Sequence, residues 1–157
     1  MVSPKKESAE LAAARTRIAE LEARAAAHER SAHVQSALYR IAETASTAKD
    51  MASFYAAMHE IVGELMYAAN FYIALYNADR QLLNFAYYAD EVDTDVPDPN
   101  AWEAFGEGNA SGLTAYALRT GRVLHVPPGR WRELIAAGEI AEVGVPGEDW
   151  LGVPLSI

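Results

Sequence analysis

Apolar residues recur at every third or fourth position near the start of the chain. Positions a and d of successive heptads are occupied by Leu11, Ala14, Ile18, Leu21 and Ala25. Residues 9–32 are rich in Ala, Glu, Arg and Leu, which favour helix, and contain neither Gly nor Pro. The pattern predicts a helix from about Ser8 to about Thr44. Glu20 and Arg24 are spaced for a favourable ion pair on it.

A second helical stripe follows, shifted by one residue: Val34, Leu38, Ile41, Ala45 and Ala48. Because the first stripe has only three large apolar residues, an isolated helix would be marginal in water, and we expect a partner helix. The favoured partner is the same helix of a second copy. The predicted dimer contacts are Leu11, Ile18, Leu21, Val34, Leu38 and Ile41. A lone solvated helix is the alternative.

The pattern then changes to a second helix and a hairpin. Ser46 and Thr47 are expected to interrupt the first helix, and Asp50 is a plausible N-cap for the next one. The core face of that next helix is predicted to comprise Phe54, Met58, Ile61, Val62 and Leu65. Residues 71–76 are aromatic and β-branched, which predicts a strand buried on both faces. A turn at 77–80 and a second strand at 82–88 complete the hairpin.

Short elements are predicted for the remainder of the chain. Trp102 and Phe105 fall on a short helix or turn. A helix capped by Ser111 or Thr114 runs to about Thr120 and closes at Gly121. Strands at 122–126 and 150–155 flank a helix at 131–137 that closes at Gly138. This order predicts an α+β fold with a mainly antiparallel sheet.

Three separated blocks carry a family resemblance: NFYIALYNADRQLLNFAYYAD, SGLTAYALRTGRVLHVP and WLGVPL. Together they resemble a GAF domain of the kind found in bacterial sensor histidine kinases and cyclic-di-GMP enzymes. The resemblance covers about Ala32 to Ile157. It implies a central antiparallel sheet flanked by helices, terminal helices that form dimers, and a pocket between the sheet and the small helices. The predicted domains are a coiled-coil helix at 1–33 and a GAF-like domain at 34–157.

The chain departs from the family pattern in three places. Extra residues occur around Asn109-Ala110. The strand and helix that normally follow WLGVPL are missing, which predicts a truncated or shortened chain. The family's cyclic-nucleotide signature is not met, because no Asn-Lys occurs and four rather than three residues separate Phe85 from Asp90-Glu91. Cyclic-nucleotide binding is therefore less favoured.

Composition excludes several function classes. The chain has 157 residues, 51% of them hydrophobic, which is typical of one globular domain with an appendage. Its net charge of −9 argues against nucleic-acid and membrane partners. The absence of cysteine excludes disulfides, thiol catalysis and covalent bilin attachment. With no signal peptide or membrane span in the sequence, we expect a bacterial cytoplasmic protein.

The remaining chemical motifs fail on spacing. A calcium loop starting at Asp93 would need Gly and Glu where Asp98 and Ala104 stand. Gly106, Gly108 and Gly112 do not form a dinucleotide fingerprint. The four histidines are spread over the chain: His28 and His33 fall on the first predicted helix, His59 on the second and His125 on a strand. We therefore expect no metal site and no catalytic activity of the chain's own.

Aromatic side chains are the strongest remaining candidates for a binding site. Tyr72 and Tyr76 share one face of the first strand, and Tyr87 is expected to share a face with Leu83 and Phe85. Phenol and indole groups around an apolar cavity are common in small-molecule sites. The predicted ligand-binding residues are Tyr72, Tyr76, Tyr87, Trp102, Phe105, Tyr116 and His125. Ordinary core packing is the alternative for each of them.

Two functions remain open at this point. The first is a signal-transduction sensory and dimerisation module that binds a non-covalent small molecule. It would relay its state through helices to an effector outside this chain, such as a diguanylate cyclase or histidine kinase. The second is a structural homodimerisation domain whose pocket is filled by its own side chains. The sequence identifies neither the ligand nor the effector.

Overall fold

The computed structural model describes residues 4–92, 94–105, 111–142 and 149–155, with side chains from residue 10 onward. It is an α+β structure that divides into two compact units, Met1–Tyr67 and Ala68–Ile157. The helices of the first unit are α1 (Pro4–Thr47) and α2 (Met51–Leu65). The second unit contains β1 (Phe71–Asn77), β2 (Leu82–Ala89), β3 (Glu103–Ala104), α3 (Leu113–Thr120), β4 (Leu124–Val126), α4 (Pro128–Ala136) and β5 (Trp150–Gly152).

Helix α1 is continuous over 44 residues and includes both apolar stripes except Ala48, which follows its last residue. The predicted interruption comes at residues 48–50, directly after Ser46 and Thr47. Their hydroxyls donate to backbone carbonyls one turn earlier, Ser46 to Ala42 at 3.2 Å and Thr47 to Glu43 at 2.9 Å. Such bonds let serine and threonine remain inside a helix. The domain boundary predicted at residue 33 stays a prediction, and α1 runs unbroken through it.

Helix α2 begins as the sequence predicts. The Asp50 carboxylate accepts a hydrogen bond from the Ser53 backbone N–H at 2.7 Å, which confirms the N-cap. This bond lowers the pKa of the Asp50 carboxyl. The predicted core face is partly right: Ile61 is buried and Leu65 is exposed. Tyr55, which the pattern did not select, is buried.

Removing the Asp50 carboxylate should destabilise the protein in a pH-dependent way. A lowered folded-state pKa stabilises the fold above the ordinary aspartate value of about 3.9, and this contribution is lost as the pH falls through the lowered value. We expect Asp50→Ala to be less stable than wild type at pH 7, with a smaller difference at pH 2. Urea denaturation at both pH values measures this. The matched control is Asp50→Asn, which caps without titrating and should keep most of the pH 7 stability.

The strands of the second unit pair in two small antiparallel sheets. One has the order β1-β2-β3, and the other pairs β4 with β5. The strands in the described ranges thus do not form the single central sheet that the resemblance implied. Strand β1 is only half-buried, with Leu75 exposed, so the prediction of a strand buried on both faces was wrong. In the described sheet β1 is an outer strand, which accounts for its exposure.

A β-bulge corrects the predicted face of Tyr87. The register pairs Ile73 with Tyr87 but Ala74 with Phe85, so Ala86 is an extra residue on β2. Such an insertion changes which side chains share a face of the strand. Tyr88 therefore joins Phe85 in the core cluster, whereas Tyr87 lies with Phe71 at a ring-centroid distance of 6.1 Å.

Most of the shorter elements are of the predicted kind, but their bounds differ, and a strand lies at residues 103–104 where a short helix or turn was predicted. Trp102 and Phe105 flank the two-residue strand β3 rather than lying on a helix. Helix α3 has Gly112 at its N-cap with no side-chain cap, and it closes at Gly121, whose φ of 62° favours glycine. Helix α4 begins earlier than predicted because Pro128 occupies its first turn. The predictions concerning Asp93, Gly106, Gly108 and Asn109-Ala110 lie outside the described residues.

Helix α3 contributes to two hydrophobic clusters in the second unit. Its Leu118 packs with the buried pair Leu83 and Phe85 of β2. Its Leu113 and Tyr116 pack with the second cluster, whose buried members are Val126, Leu134 and Ile140. Between these side chains, Ala115 and Ala117 are buried. Helix α3 thus links the two clusters of the second unit.

Candidate functional site

The most connected polar group among the predicted pocket residues is the Tyr72 hydroxyl. The Trp150 indole N–H donates to it at 3.0 Å, and it lies 2.8 Å from the Thr114 hydroxyl. Three elements, β1, α3 and β5, therefore meet at one oxygen. Burial raises the pKa of the Tyr72 hydroxyl, and the bonds with Thr114 and Trp150 oppose this effect only in part.

Gly152 makes room for the Trp150 side chain. Successive side chains alternate along a strand, so residues 150 and 152 lie on the same face of β5. A Cβ placed on Gly152 would occupy the position of the Trp150 ring. Trp150 packs against the second cluster, and its N–H reaches Tyr72 across this glycine. Gly152 is therefore required sterically, a role that the sequence analysis missed.

Tyr76 has partners of its own at the other end of β1. Its ring lies 4.8 Å from the Phe105 ring, and its hydroxyl accepts a hydrogen bond from the Gln81 amide at 2.8 Å. Gln81 itself adopts a φ of 54° in the hairpin turn. The structure thus brings Tyr76 and Phe105 together in a pair whose polar atom, the Tyr76 hydroxyl oxygen, already has a protein partner.

Tyr116, Trp102 and His125 lie in three separate environments. Tyr116 packs in the second cluster, with the Arg119 guanidinium 5.5 Å from its ring centroid. Trp102 is 46% exposed beside β3. His125 is exposed on β4, and its Nε2 lies 2.8 Å from an Asp149 carboxylate oxygen. The seven predicted pocket residues therefore do not converge on one centre in the described structure.

Asn84 is a buried polar residue that sequence reasoning overlooked. Its side-chain amide donates to the backbone carbonyls of Pro99 at 2.8 Å and Ala101 at 2.6 Å. These bonds attach the acidic loop after β2 to the middle of the sheet. An asparagine between Leu83 and Phe85 in a strand was the available signal, because a buried amide requires partners.

The first stripe of α1 is exposed. Leu11, Ile18 and Leu21 are 54%, 55% and 49% exposed. Further along the same heptad register, Tyr39 is 71% exposed, and Ala42 and Ser46 are also exposed. Helix α2, the other helix of the first unit, leaves this face of α1 exposed along its length. On the same helix Glu20 pairs with Arg17 at 3.0 Å, rather than with Arg24 as predicted.

Helix α2 packs on a different face of α1. Ala37 is buried, and Ile41, Thr44 and Ala48 are half-buried at the same helical spacing. Val34 and Leu38, of the predicted second stripe, are exposed on the flank of this contact. An ion pair between Arg40 and Glu64 joins the two helices and lowers the pKa of the Glu64 carboxyl. Ile41, predicted as a dimer contact, is thus partly covered within its own chain.

A small cleft lies between the two helices of the first unit. Its volume is about 170 Å³, and its lining comprises His33, Ser36, Ala37, Arg40, Glu64 and Leu65. The two charged groups in it neutralise one another, because Arg40 is paired with Glu64. This cleft contains none of the aromatic residues predicted to bind a ligand.

Neither a cluster of metal ligands nor a membrane-spanning helix occurs among the described residues. Within residues 4–92, 94–105, 111–142 and 149–155, no three His, Asp or Glu side chains are grouped as a metal ion would require. No helix in those ranges combines the length and apolarity needed to cross a lipid bilayer.

Comparisons with protein-family models, curated proteins and solved structures found no match to the chain. Its membership of the GAF family therefore rests on the sequence resemblance and stays a prediction. The strongest functional feature of the described structure is the exposed stripe of α1.

Proposed function

We propose that this protein is a homodimerisation module of a signalling protein, of the GAF type, in which α1 joins two copies. The observation that carries the proposal is the exposed first stripe on a helix of 44 residues. The arrangement of the paired helices is what an effector outside this chain would detect. Signalling of this kind requires two arrangements of the pair whose relative free energies a signal can change.

The geometry of α1 favours a second copy of the helix over intramolecular burial. Helix α2 is the nearest element in sequence, and it packs on the face marked by Ala37. The face marked by Ile18 and Leu21 is left exposed and keeps an a/d spacing over three heptads. A helix with this spacing reduces its exposed apolar surface by pairing with an equivalent stripe.

The aromatic residues of the second unit favour the second of the two functions, a structural homodimerisation domain whose pocket is filled by its own side chains. The hydroxyls of Tyr72 and Tyr76 are hydrogen-bonded to protein groups rather than facing a common cavity. Phe85, which lies 5.5 Å from Tyr72 between ring centroids, is buried in the core. We therefore favour structural dimerisation, and small-molecule sensing through Tyr72, Tyr76 and their neighbours stays a prediction. Native mass spectrometry of the purified protein would support sensing if it detected retained extra mass.

Polar substitution of the first stripe should separate the two copies. We expect wild type to sediment as a dimer at micromolar concentration, and Ile18→Gln/Leu21→Gln to sediment as a monomer, because two apolar layers of the interface are lost. Analytical ultracentrifugation measures both, and circular dichroism reports whether the fold is retained.

The matched control for this experiment is Thr16→Gln/Ala23→Gln. Both residues are exposed on α1 and occupy heptad position f, away from the stripe. This variant should remain dimeric. A monomeric wild type, or a folded Ile18→Gln/Leu21→Gln variant that stays dimeric, would reject dimerisation through this stripe.

A further inference from the structure

Charged residues flank the first stripe of α1 in a regular order. With Leu11 at position a, the g positions are Glu10, Arg17 and Arg24, and the e positions are Arg15, Glu22 and Glu29. All six side chains are exposed. In a two-stranded coiled coil, residues at e and g border the apolar contact and determine the partner and its orientation.

We propose that two copies of α1 associate as a parallel, in-register coiled coil, an inference that rests on the proposed homodimerisation. In this arrangement each g residue faces the e residue of the following heptad on the other chain. Glu10 then faces the partner's Arg15. Arg17 faces the partner's Glu22, and Arg24 faces the partner's Glu29. Every pair joins opposite charges, and the twofold symmetry gives each pair twice.

Other alignments lose this complementarity. A shift by one heptad, which is the same arrangement in either direction because the copies are identical, places Arg17 opposite the partner's Arg15. On the other side of the same pair it places the partner's Glu10 opposite Glu22. An antiparallel pair that places Arg17 opposite the partner's Arg17, because g then faces g, also places Glu10 opposite the partner's Arg24, so like and opposite charges are mixed. Only the parallel, unshifted alignment joins opposite charges at every one of these pairs, so the charge order favours it.

The pairs found within the single chain are compatible with this arrangement. Arg17 is bonded to Glu20 in its own helix through one guanidinium nitrogen. A guanidinium has five N–H donors, so that bond leaves donors for the partner's Glu22. Glu20 itself lies at position c, outside the flanking positions. The apolar stripe supplies the attraction, and the flanking charges determine the direction and register of the pair.

Cysteine cross-linking tests the alignment directly, because the natural chain contains no cysteine. Residues at position d of a parallel, unshifted pair lie opposite their own copies, so Ala14→Cys should give a disulfide-linked dimer on mild oxidation. The matched control, Ala23→Cys, makes the same substitution at position f of the same helix. It should remain uncross-linked. Non-reducing electrophoresis and sedimentation of the reduced variants measure the two properties separately.

Charge reversal tests the pairs themselves. Arg24→Glu should weaken the dimer by roughly tenfold or more, because two attractive contacts become repulsive. Adding Glu29→Arg should restore wild-type affinity, since the pair is then reversed rather than broken. The control Arg30→Glu makes the same charge change at position f and should leave the affinity within about twofold of wild type. Sedimentation equilibrium measures all four dissociation constants.

The outcomes distinguish the proposed alignment from the proposed homodimerisation on which it rests. A monomeric wild type would overturn homodimerisation and the alignment together. A wild-type dimer in which Ala14→Cys fails to cross-link, or in which Glu29→Arg does not rescue Arg24→Glu, would overturn the alignment alone. Cross-linking at Ala14→Cys but not at Ala23→Cys, with rescue by the double reversal, would support both.

Discussion

Replacing Gly152 with alanine should destabilise the second unit by about 3 kcal/mol, through overpacking together with the loss of a buried hydrogen bond. The added methyl group would occupy the position of the Trp150 ring. The indole must therefore move away, which removes it from the second cluster and withdraws its N–H from Tyr72. Thermal denaturation measures the loss, and a shift in tryptophan fluorescence would report displacement of the ring.

The control for this substitution is Gly63→Ala. Gly63 lies in α2, and a Cβ there meets no atom within 4 Å. Because alanine favours helix over glycine, this variant should be equal to wild type or more stable, by up to about 1 kcal/mol. If Gly152→Ala were as stable as wild type, the close packing of Trp150 over Gly152 would be refuted.

Changing Asn84 to aspartate should cost about 3 kcal/mol or more at pH 8, the cost of a buried charge without a partner. The side chain keeps its shape, but the group that donates to Pro99 and Ala101 becomes an oxygen facing two carbonyl oxygens. We expect the acidic loop to detach from β2 in this variant. Urea denaturation gives the loss of stability, and limited proteolysis reports exposure of the loop.

The pH dependence of the Asn84→Asp variant has a definite sign. Burial beside two carbonyls raises the pKa of the introduced carboxyl in the folded state above its unfolded value of about 4. The folded state then binds the proton more strongly, so the variant should recover stability as the pH falls from 8 toward 4.

The control for Asn84→Asp is Asn70→Asp, at an exposed position. The Asn70 side-chain oxygen accepts a hydrogen bond from the Glu91 backbone N–H at 2.9 Å, and a carboxylate can accept the same bond. This variant should change stability little over the same pH range. Equal stability curves for the two variants would show that the buried amide of Asn84 is not needed.

Local signals in the sequence predicted much of the secondary structure. The Asp50 cap, the hairpin turn and the left-handed Gly121 each depend on a few adjacent residues, and each was found at the predicted position. The short strands were less predictable. Strand β3 has two residues, and it exists because Leu82 and Leu83 pair with it from another part of the chain.

The faces of β2 could not be derived from alternation alone. A strict period of two places Tyr87 with Phe85, whereas the extra residue Ala86 places Tyr88 there instead. A bulge forms when pairing between two strands is better with one residue left over, and the sequence of one strand does not specify this. Of the residues predicted to bind a ligand, only Tyr87 is moved to another face by this bulge.

By itself, the sequence determined the helices, the hairpin and the charge order along α1, because helix propensity, capping and heptad spacing act between residues close in the chain. Only the tertiary structure decided that Tyr72 meets Thr114 and Trp150, that Asn84 holds a distant loop, and which face of α1 receives α2. These contacts join residues far apart in sequence. They are selected by packing of the whole unit rather than by any local preference.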